Sequence, residues 1–431
     1  GIKGARGRHQ EAAERMVRTL GQLRGGAAKI AQMASFIDTD FIPDEYRATY
    51  QAELAKLRSD APAMPWGKVR GVLDEEWEEP VEALFDSFDT EAAAAASIGQ
   101  VHRARLIDGR EVAVKIQYPG MARALEADMS NAGLLMRLAK ALAPGLDARS
   151  VAAELRERVL EELDYEIEAA NQRTFARAYR GHPFIVVPDV VTRLSTGRVL
   201  VSEWIDGVGF EHVRALPQPE RDRFGEIVFR FAFGSVYHLQ HFNADAHPGN
   251  YLLMDDGRVA FLDFGMTKRL DAEQIELEIA AIVAAMDDEP ERLRARLAEL
   301  GYVRRPERVD AERLMAHTRA VGGWYLADEE VTVDPETVMT AMEAMTDPRS
   351  EFYDLLRHES LPADELMGQR MQTGVLAVLG QLRATRNWNR IGREWWFADE
   401  PATELGRAEW DYFESRGERR VPRFGARRAD S

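Results

Sequence analysis

Residues 243–266 read NADAHPGNYLLMDDGRVAFLDFGM, and this stretch decides which fold the chain can adopt. Asp245 is followed by His247 and Asn250, and two short apolar runs then lead to Asp263 within an Asp-Phe-Gly sequence. Enzymes that transfer phosphoryl groups at a kinase-like site arrange their acidic and amide side chains in this order. Asp245 is therefore a candidate for orienting or deprotonating an accepting hydroxyl, and Asn250 and Asp263 are candidate magnesium ligands.

The apolar runs explain the spacing between these polar residues. They predict strands over residues 252–254 and 259–262, joined by an Asp256-Gly257 turn. A hairpin returns its two ends to the same place, so Asn250 and Asp263 are predicted to lie close together. Asp, Asn and Gly are also the commonest turn residues, so the pattern indicates a catalytic site only if a strand lysine is found upstream.

Such a lysine is present in residues 112–116 (VAVKI), which follow an Asp108-Gly109 turn and form the second arm of a predicted hairpin. Lys115 stands in an apolar, β-branched run, where burial is costly unless an anion is near. We therefore expect Lys115 to pair with a phosphate and a carboxylate.

The segment before this hairpin, residues 92–104 (AAAAASIGQVHRA), lies where kinases place a glycine-rich loop over the nucleotide. Here the loop is rich in alanine, whose methyl groups would hold the backbone further from phosphates than glycine would. An alanine run by itself is more typical of a plain helix. The candidate nucleotide contacts in this segment are Ala94, Ala95, Ala96, Ser97 and Gly99.

Residues 121–178 are predicted to be helical, and the last of these helices is expected to contain the acidic segment 161–168 (EELDYEIE). A kinase-like site needs a helix glutamate to pair with the strand lysine. Glu162, Glu166 and Glu168 all satisfy the spacing, and periodicity does not choose between them.

Residues 184–192 and 198–204 are predicted to form two further strands. The end of the second strand lies where a hinge between two lobes would offer backbone groups to adenine, so Glu203 and Ile205 are candidate nucleotide contacts. Beyond about residue 220 the chain is predicted to be mainly helical apart from the central hairpin, and it includes an apolar helix over residues 224–239. Strands followed by helices predict an α+β fold with two lobes.

Composition limits the other classes of function. The chain has 431 residues, 45% hydrophobic and 30% charged, which is enough for two or three lobes around a core. It contains no cysteine, so disulfides and thiolate metal sites are excluded. A net charge of −17 argues against a general nucleic-acid binder. No apolar run reaches the length of a membrane span and no signal peptide opens the chain, so we expect a cytoplasmic protein.

The N-terminal residues 9–35 are predicted to form helices interrupted at Gly25-Gly26. The segment 27–36 (AAKIAQMASF) carries Lys29 and Gln32 inside an Ala/Met-rich helix. Polar side chains in such a helix are candidates for a functional role, although an exposed stripe is the more ordinary interpretation.

As an ordered set, these motifs resemble the UbiB/ADCK (AarF-type) family of atypical protein-kinase-like proteins over essentially the whole chain. The matching segments are AAAASIGQVHRA (93–104), VAVKIQYPG (112–120), ELDYEIEAAN (162–171), ADAHPGN (244–250) and LDFG (262–265). The resemblance implies that Lys115 pairs with Glu168 and that Glu162 and Asp164 form the ExD element of the family. It also matches Lys29 and Gln32 to the KxGQ signature, which in the family lies across the active site and restricts access by protein substrates.

Two residues depart from the pattern of the family. Ala31 replaces the glycine of the KxGQ signature, and Ala246 replaces the proline that usually follows the catalytic aspartate. Some family members carry C-terminal transmembrane helices, whereas residues 388–410 here are rich in Trp and Arg. We expect this tail to be an aromatic helix packed on the helical lobe, with contact at a membrane interface as the alternative.

The expected fold is therefore α+β, a two-lobed protein-kinase-like fold with a helical N-terminal extension and a helical C-terminal tail. The expected boundaries are residues 1–65 for the N-terminal extension, 66–207 for the N-lobe, 208–345 for the C-lobe and 346–431 for the C-terminal extension.

The resemblance implies a magnesium-dependent protein that binds ATP and ADP and has atypical kinase or ATPase activity. Its target would be a small or lipid-like molecule, with a link to quinone or isoprenoid lipid metabolism, and peripheral membrane contact stays open. One alternative is a phosphotransferase for small molecules, similar to aminoglycoside or choline kinases, whose Asp-x-His-x-x-Asn loop fits Asp245, His247 and Asn250. The other alternative is a nucleotide-switched binding module without turnover.

Overall fold

The computed structural model describes residues 64–96, 98–130, 163–303, 305–346 and 366–418, together with the isolated residues 149, 153, 156, 160, 161, 350, 352 and 355. The chain divides into two compact units. The first unit comprises the residues up to Arg180, Val187–Asp206 and Phe261–Met266. The second comprises Gly181–Val186, Gly207–Ala260 and the residues from Thr267 onward.

The strands of the described residues are short in most cases. In chain order they are β1 (Phe85–Phe88), β2 (Ala94–Ala95), β3 (Gly99–Leu106), β4 (Glu111–Gln117), β5 (Ile185–Val186), β6 (Val199–Glu203), β7 (His241–Asn243), β8 (Tyr251–Leu253), β9 (Val259–Phe261), β10 (Thr267–Arg269), β11 (Val331–Thr332) and β12 (Thr385–Arg386).

The α-helices of the described residues lie mostly in the second half of the chain. In order they are α1 (Trp66–Glu76), α2 (Val81–Leu84), α3 (Met121–Met129), α4 (Tyr165–Ala178), α5 (Phe210–Arg214), α6 (Gln218–Phe229), α7 (Ser235–Leu239), α8 (Ala272–Met286), α9 (Pro290–Glu299), α10 (Ala311–Leu326), α11 (Pro335–Thr346), α12 (Leu366–Leu382), α13 (Trp388–Trp396) and α14 (Glu404–Ser415). No helix among the described residues is long and apolar enough to cross a membrane.

The first unit is built on an antiparallel sheet in the order β1-β3-β4-β6, with β2 paired to β3. Strand β4 lies inside this sheet, and its side chains alternate between the two faces. Val112, Val114 and Ile116 are fully buried on one face. Lys115, between the last two, therefore belongs to the opposite face.

Helix α1 covers the apolar face of the sheet. Val69, Val72 and Leu73 are buried in one core cluster with the valines of β4. Trp77, just after the helix, donates its indole N–H to the carbonyl of Leu194 at 3.0 Å. These contacts fix the central strands from one side and leave the other side for α4.

Helix α4 begins at Tyr165 because the Asp164 carboxylate accepts the backbone N–H of Glu166 at 2.9 Å and caps the helix. The prediction that one helix contains all of residues 161–168 is therefore wrong, since Asp164 lies before it. The side chains buried by α4 follow helical spacing: Tyr165, Glu168, Ala169, Gln172, Phe175 and Ala176.

The predicted strand over residues 184–192 is also wrong for most of its length. Only Ile185–Val186 is a strand, and Ile185 pairs in parallel with Val259. Pro188 has no N–H to donate to a ladder, and the chain continues into a 3₁₀ turn at Thr192–Leu194. The second prediction, for residues 198–204, agrees with β6 to within one residue at each end.

The second unit is mainly helical. Its predicted apolar helix over residues 224–239 appears as α6 and α7 joined by a π-helical segment, Arg230–Gly234. Phe229 packs edge-on against Trp388 of α13, with ring centroids 5.2 Å apart. Trp388, Trp395 and Trp396 are all buried within the second unit, so the aromatic tail packs on helices, as expected.

A group of charged side chains is buried among these helices. Arg230 contacts Glu226 at 2.9 Å, Glu394 at 2.9 Å and Glu409 at 2.9 Å. We call these four residues the arginine cluster.

Small sheets position the loops of the second unit. Strands β8 and β9 are joined by the Asp256-Gly257 turn, in which Gly257 adopts φ 81°, and β5 pairs with β9. The hairpin that the sequence predicted is therefore present, with its first strand one residue earlier. Strand β7 pairs with β10, Asn243 opposite Thr267, and so holds both ends of the segment that contains the predicted catalytic loop.

Candidate active site

Three charged side chains of the first unit meet behind its sheet. The ammonium of Lys115 on β4 lies 2.8 Å and 2.9 Å from the two carboxylate oxygens of Glu168 on α4. It also lies 3.1 Å from Oδ2 of Asp263. We call these three residues the lysine cluster. The contact explains why a lysine stands in an otherwise apolar strand.

Burial and charge act on these groups in different directions. The pKa of Glu168 is raised to about 7, because its burial and the neighbouring Asp263 carboxylate outweigh the attraction of Lys115. Burial acts to lower the pKa of Lys115, but Asp263 and Glu168 outweigh it, and that pKa lies well above its usual value. The cluster sets one cation against two carboxylates.

The Asp-Phe-Gly sequence is held in place by its own neighbours. The N–H of Gly265 donates to Oδ1 of Asp263 at 2.9 Å. Phe264 is fully buried against Phe175 of α4, with ring centroids 5.1 Å apart, and its carbonyl accepts the Asn171 amide at 3.2 Å. The aromatic ring and the backbone thus fix the loop, and Asp263 keeps its place beside Lys115.

The alanine-rich segment forms an edge of the same sheet. Ala94 and Ala95 form β2 and pair with Val101 and Gln100 of β3. The N–H of Ala96 donates to the carbonyl of Gly99 at 2.9 Å. Ala94, Ala95 and Gly99 are thus strand residues and not part of a helix.

Gly99 has a packing reason to be glycine. A Cβ at this position would lie 2.1 Å from the carbonyl oxygen of Ile116 on β4. The strands could not approach as they do with any side chain there. The glycine that the sequence offered as a nucleotide contact is therefore required by the sheet itself.

The predicted hinge residues lie at the end of β6. The Glu203 carboxylate accepts the N–H of Asp189 at 3.0 Å, and the backbone N–H of Glu203 donates to the Asp189 carbonyl at 2.9 Å. Trp204 bonds through its N–H to the carbonyl of Glu111 at 3.0 Å. Ile205 is partly buried.

A second group of polar side chains lies within the second unit. Asn250 donates its side-chain amide to Oδ2 of Asp245 at 2.7 Å. The N–H of Asp245 donates to the Asn243 side chain at 2.9 Å. His247 caps the 3₁₀ turn Pro248–Asn250 by accepting the N–H of Gly249 at 2.9 Å. The loop therefore holds Asp245 through its own residues.

One residue of this group was missed by sequence reasoning. Arg370 of α12 donates to Oδ1 of Asp245 at 3.3 Å. The available signal was an arginine inside an apolar helix, a pattern that does not name its partner.

Several predicted residues are not brought into these groups. Lys29, Gln32, Ser97 and Glu162 lie outside the described residues. Asp164 is described, and there it acts as the N-cap of α4. The lysine cluster belongs to the first unit, and Asp245 and Asn250 belong to the second.

Comparison with known proteins gives consistent results. A family model described as the ABC1 atypical kinase-like domain matches residues 56–296, more than half of the chain. The protein named "Atypical kinase COQ8B, mitochondrial" from Rattus norvegicus is 33% identical over 292 residues, 68% of this chain and 54% of that relative. "Atypical kinase coq-8, mitochondrial" from Caenorhabditis elegans is 27% identical over 378 residues, 84% of this chain and 49% of the relative.

A chloroplastic relative from Arabidopsis thaliana, "Protein ACTIVITY OF BC1 COMPLEX KINASE 1", is 33% identical over 270 residues, 61% of this chain and 39% of the relative. The chain thus spans about half, or less, of the length of these curated relatives. A solved structure described as the complex of Rv3197 with erythromycin from Mycobacterium tuberculosis is 32% identical. The match covers 92% of this chain and 98% of that chain, with a TM-score of 0.67.

Proposed function

Because this chain belongs to the ABC1 (UbiB/ADCK) family of atypical kinase-like proteins, we propose that it is a magnesium-dependent, ATP-binding atypical kinase or ATPase. In this proposal it acts on, or is regulated by, a small or lipid-like molecule, and the family resemblance suggests quinone or isoprenoid lipid metabolism. The observation that carries the proposal is the contact of Lys115 with Glu168 and Asp263.

Lys115 is proposed to bind phosphate oxygens of the nucleotide. A lysine is a point charge on a flexible stem, so its position depends on the groups that hold it. Glu168 makes two contacts to the ammonium from the buried face of α4. The proposal therefore assigns phosphate binding to Lys115 and the positioning of that lysine to Glu168.

A magnesium ion at Asp263 fits the charges of the lysine cluster. The cluster holds one cation and two carboxylates, so a further cation would balance it. Magnesium is usually bound through one or two carboxylates together with phosphate oxygens and water. When bound, the ion would neutralise phosphate charge. Asp263 would hold it, and Asn250 is the second ligand that the sequence predicts.

Asp245 is proposed to position the attacking oxygen. Its carboxylate is held at Oδ2 by Asn250, and its backbone N–H is held by Asn243. Phosphoryl transfer in most analyses passes through a loose transition state, in which positioning and electrostatics do most of the catalysis. A fixed carboxylate suits that requirement.

The second candidate function is a phosphotransferase for small molecules. One observation favours it, namely that the similar M. tuberculosis structure is described as a complex with erythromycin. The same catalytic residues would serve, and only the acceptor would differ.

The metal assignment predicts that Asp263→Asn abolishes the magnesium-dependent part of the thermal shift with ATP. The substitution removes a charged side chain that would coordinate the ion. A bound molecule present at a hundred times its dissociation constant stabilises the folded protein by about 2.7 kcal/mol. The melting temperature is measured with ATP in the presence of Mg²⁺ or EDTA. Asp256→Asn, at an exposed turn, is the matched control and should keep the shift. An undiminished shift in Asp263→Asn would contradict the assignment of Asp263 as a magnesium ligand.

The functional class is tested by phosphate release from ATP with a panel of additives. The panel contains isoprenoid lipids, hydroxylated small molecules, an aminoglycoside, an aminoalcohol and erythromycin. Stimulation by lipids supports the first proposal, whereas phosphorylation of an aminoglycoside, aminoalcohol or erythromycin supports the second. Nucleotide binding without any phosphate release would contradict both and indicate a switch module.

A further inference from the structure

A side chain from beyond the family-matched segment contacts the predicted catalytic aspartate. The family model covers residues 56–296, and Arg370 lies far beyond it on α12. Its guanidinium is 3.3 Å from Oδ1 of Asp245. The two side chains are only 11% and 15% exposed, so both are largely buried.

Packing does not require a charged residue at this place. The neighbouring residues Met367, Met371 and Val375 on α12 are apolar and buried. A largely buried ion pair contributes little net stability, because desolvation of both groups offsets their attraction. Replacing Arg370 alone by an apolar side chain would leave the largely buried Asp245 carboxylate without this cation. The arginine is therefore explained by its contact with Asp245 and not by the packing of α12.

The geometry suggests control over the orientation of the carboxylate. Arg370 engages Oδ1 of Asp245, while Asn250 engages Oδ2 at 2.7 Å. The carboxylate is thus restrained from both sides, and each oxygen still has a second lone pair for a hydroxyl. A guanidinium is planar and permanently charged, so it provides a fixed direction for this restraint.

We infer that Arg370 is a positioning residue that holds Asp245 in the orientation needed for phosphoryl transfer, an inference that rests on the proposed function. In this role Arg370 acts through its contact with Asp245. Displacement of a positioned group by about 1 Å can cost about 10²-fold in rate. Arg370 thereby links helix α12 to the predicted catalytic loop.

The first test compares single variants in phosphate release from ATP. Arg370→Met replaces the guanidinium by an apolar chain that suits the helix. We expect kcat to fall about tenfold or more, with KM for ATP unchanged within about twofold. Arg370→Lys keeps the charge and should restore part of the rate. The control Arg386→Met removes another partly buried contact in the same unit, to Glu226 at 2.8 Å, and should leave kcat within about twofold.

The second test is a double-mutant cycle with Asp245→Asn. That substitution alone should lower kcat by about 10²-fold or more and leave the dissociation constant for ATP nearly unchanged. If Arg370 acts through Asp245, adding Arg370→Met should lower kcat by less than about twofold further.

Two results would contradict this inference without contradicting the proposed function. The first is an active parent with an equally active Arg370→Met variant. The second is an Arg370→Met substitution that lowers kcat by the same factor in the parent and in the Asp245→Asn variant. A parent that releases no phosphate with any additive would overturn the proposed function and this inference together.

Discussion

Each unit of the protein contains a buried group of charged side chains, and the two groups differ in how they are enclosed. In the arginine cluster every side chain is at most 4% exposed. Two further donors reach it: the N–H of Ala402 bonds Glu394 at 3.0 Å, and Arg386 bonds Glu226 at 2.8 Å. The cluster joins α6 and the π-helical segment to α13 and α14.

The lysine cluster is less completely buried. Glu168 is 5% exposed, but Asp263 is 30% exposed. One cation faces two carboxylates, and the most exposed member is the one predicted to bind metal. The comparison teaches that burial of charge does not by itself indicate function. A closed cluster connects helices, whereas a cluster with an accessible carboxylate can receive a ligand.

The largest expected effect is a loss of protein stability when the arginine cluster is broken. Arg230→Met leaves three buried carboxylates without their shared cation, which should cost about 3–5 kcal/mol of unfolding free energy. Urea denaturation measures the loss. Arg390→Met breaks an exposed contact to Asp328 and should cost less than about 1 kcal/mol. If Arg230→Met costs no more than this control, the arginine cluster is not structural.

The next largest effect is a loss of turnover when the lysine cluster is broken. Lys115→Met should lower phosphate release from ATP by about 10²-fold or more, because a positive charge that binds phosphate is lost. Its cost in unfolding free energy should be smaller than that of Arg230→Met, because Glu168, with its pKa raised to about 7, readily takes a proton. Steady-state kinetics and urea denaturation measure both quantities. A stability loss equal to that of Arg230→Met, with turnover intact, would make the lysine cluster structural too.

The smallest effect is a pair of opposite pH dependences. Burial and Asp263 raise the pKa of Glu168 from 4.5 to about 7. Its contribution to stability is therefore fully present below pH 4.5 and is lost as the pH rises to about 7. Burial acts to raise the pKa of Glu409, but Arg230 and His238 outweigh it and lower that pKa from 4.5 to about 2. Its contribution is present above pH 4.5 and is lost as the pH falls to about 2.

Unfolding free energies measured across pH should reveal both trends. Glu168→Gln should flatten the curve between pH 4.5 and 7 by at most about 3 kcal/mol. Glu409→Gln should flatten it below pH 4.5. Curves that run parallel to that of the parent would remove the electrostatic distinction between the clusters.

Much of the fold could be predicted from the sequence. The α+β kinase-like class and the family are confirmed, because a strand lysine, a hairpin and an Asp-Phe-Gly sequence are short patterns that carry their own geometry. The strand predicted over residues 184–192 failed because Pro188 interrupts the ladder, a signal that was present in the sequence.

The partner of Lys115 illustrates how local signals can be combined. Periodicity left Glu162, Glu166 and Glu168 open, and only the family resemblance chose Glu168. Recognition of Asp164 as an N-cap would have started the helix at Tyr165. Glu168 then falls on the face of Tyr165 and Gln172, where side chains are buried, and Glu166 falls outside it.

Arg370 could not be predicted in the same way. It is separated from Asp245 by more than a hundred residues, and no local pattern links a helix arginine to a distant loop. The proposed roles of Lys29 and Gln32 stay predictions, and their test is whether Lys29→Ala changes nucleotide affinity and ATPase rate.

The narrow gap between β3 and β4 at Gly99 bears on how evolution at this position is interpreted. A methyl group there would collide with the Ile116 carbonyl, so selection for folding alone is enough to keep glycine in every descendant. Position 94, which is exposed, is under no such constraint from the sheet. Mutational tolerance at Gly99 therefore reports on backbone clearance, whereas tolerance at Ala94 would test the nucleotide contact that the sequence predicts there. Conservation of glycine at position 99 would therefore give no information about how tightly ATP is bound.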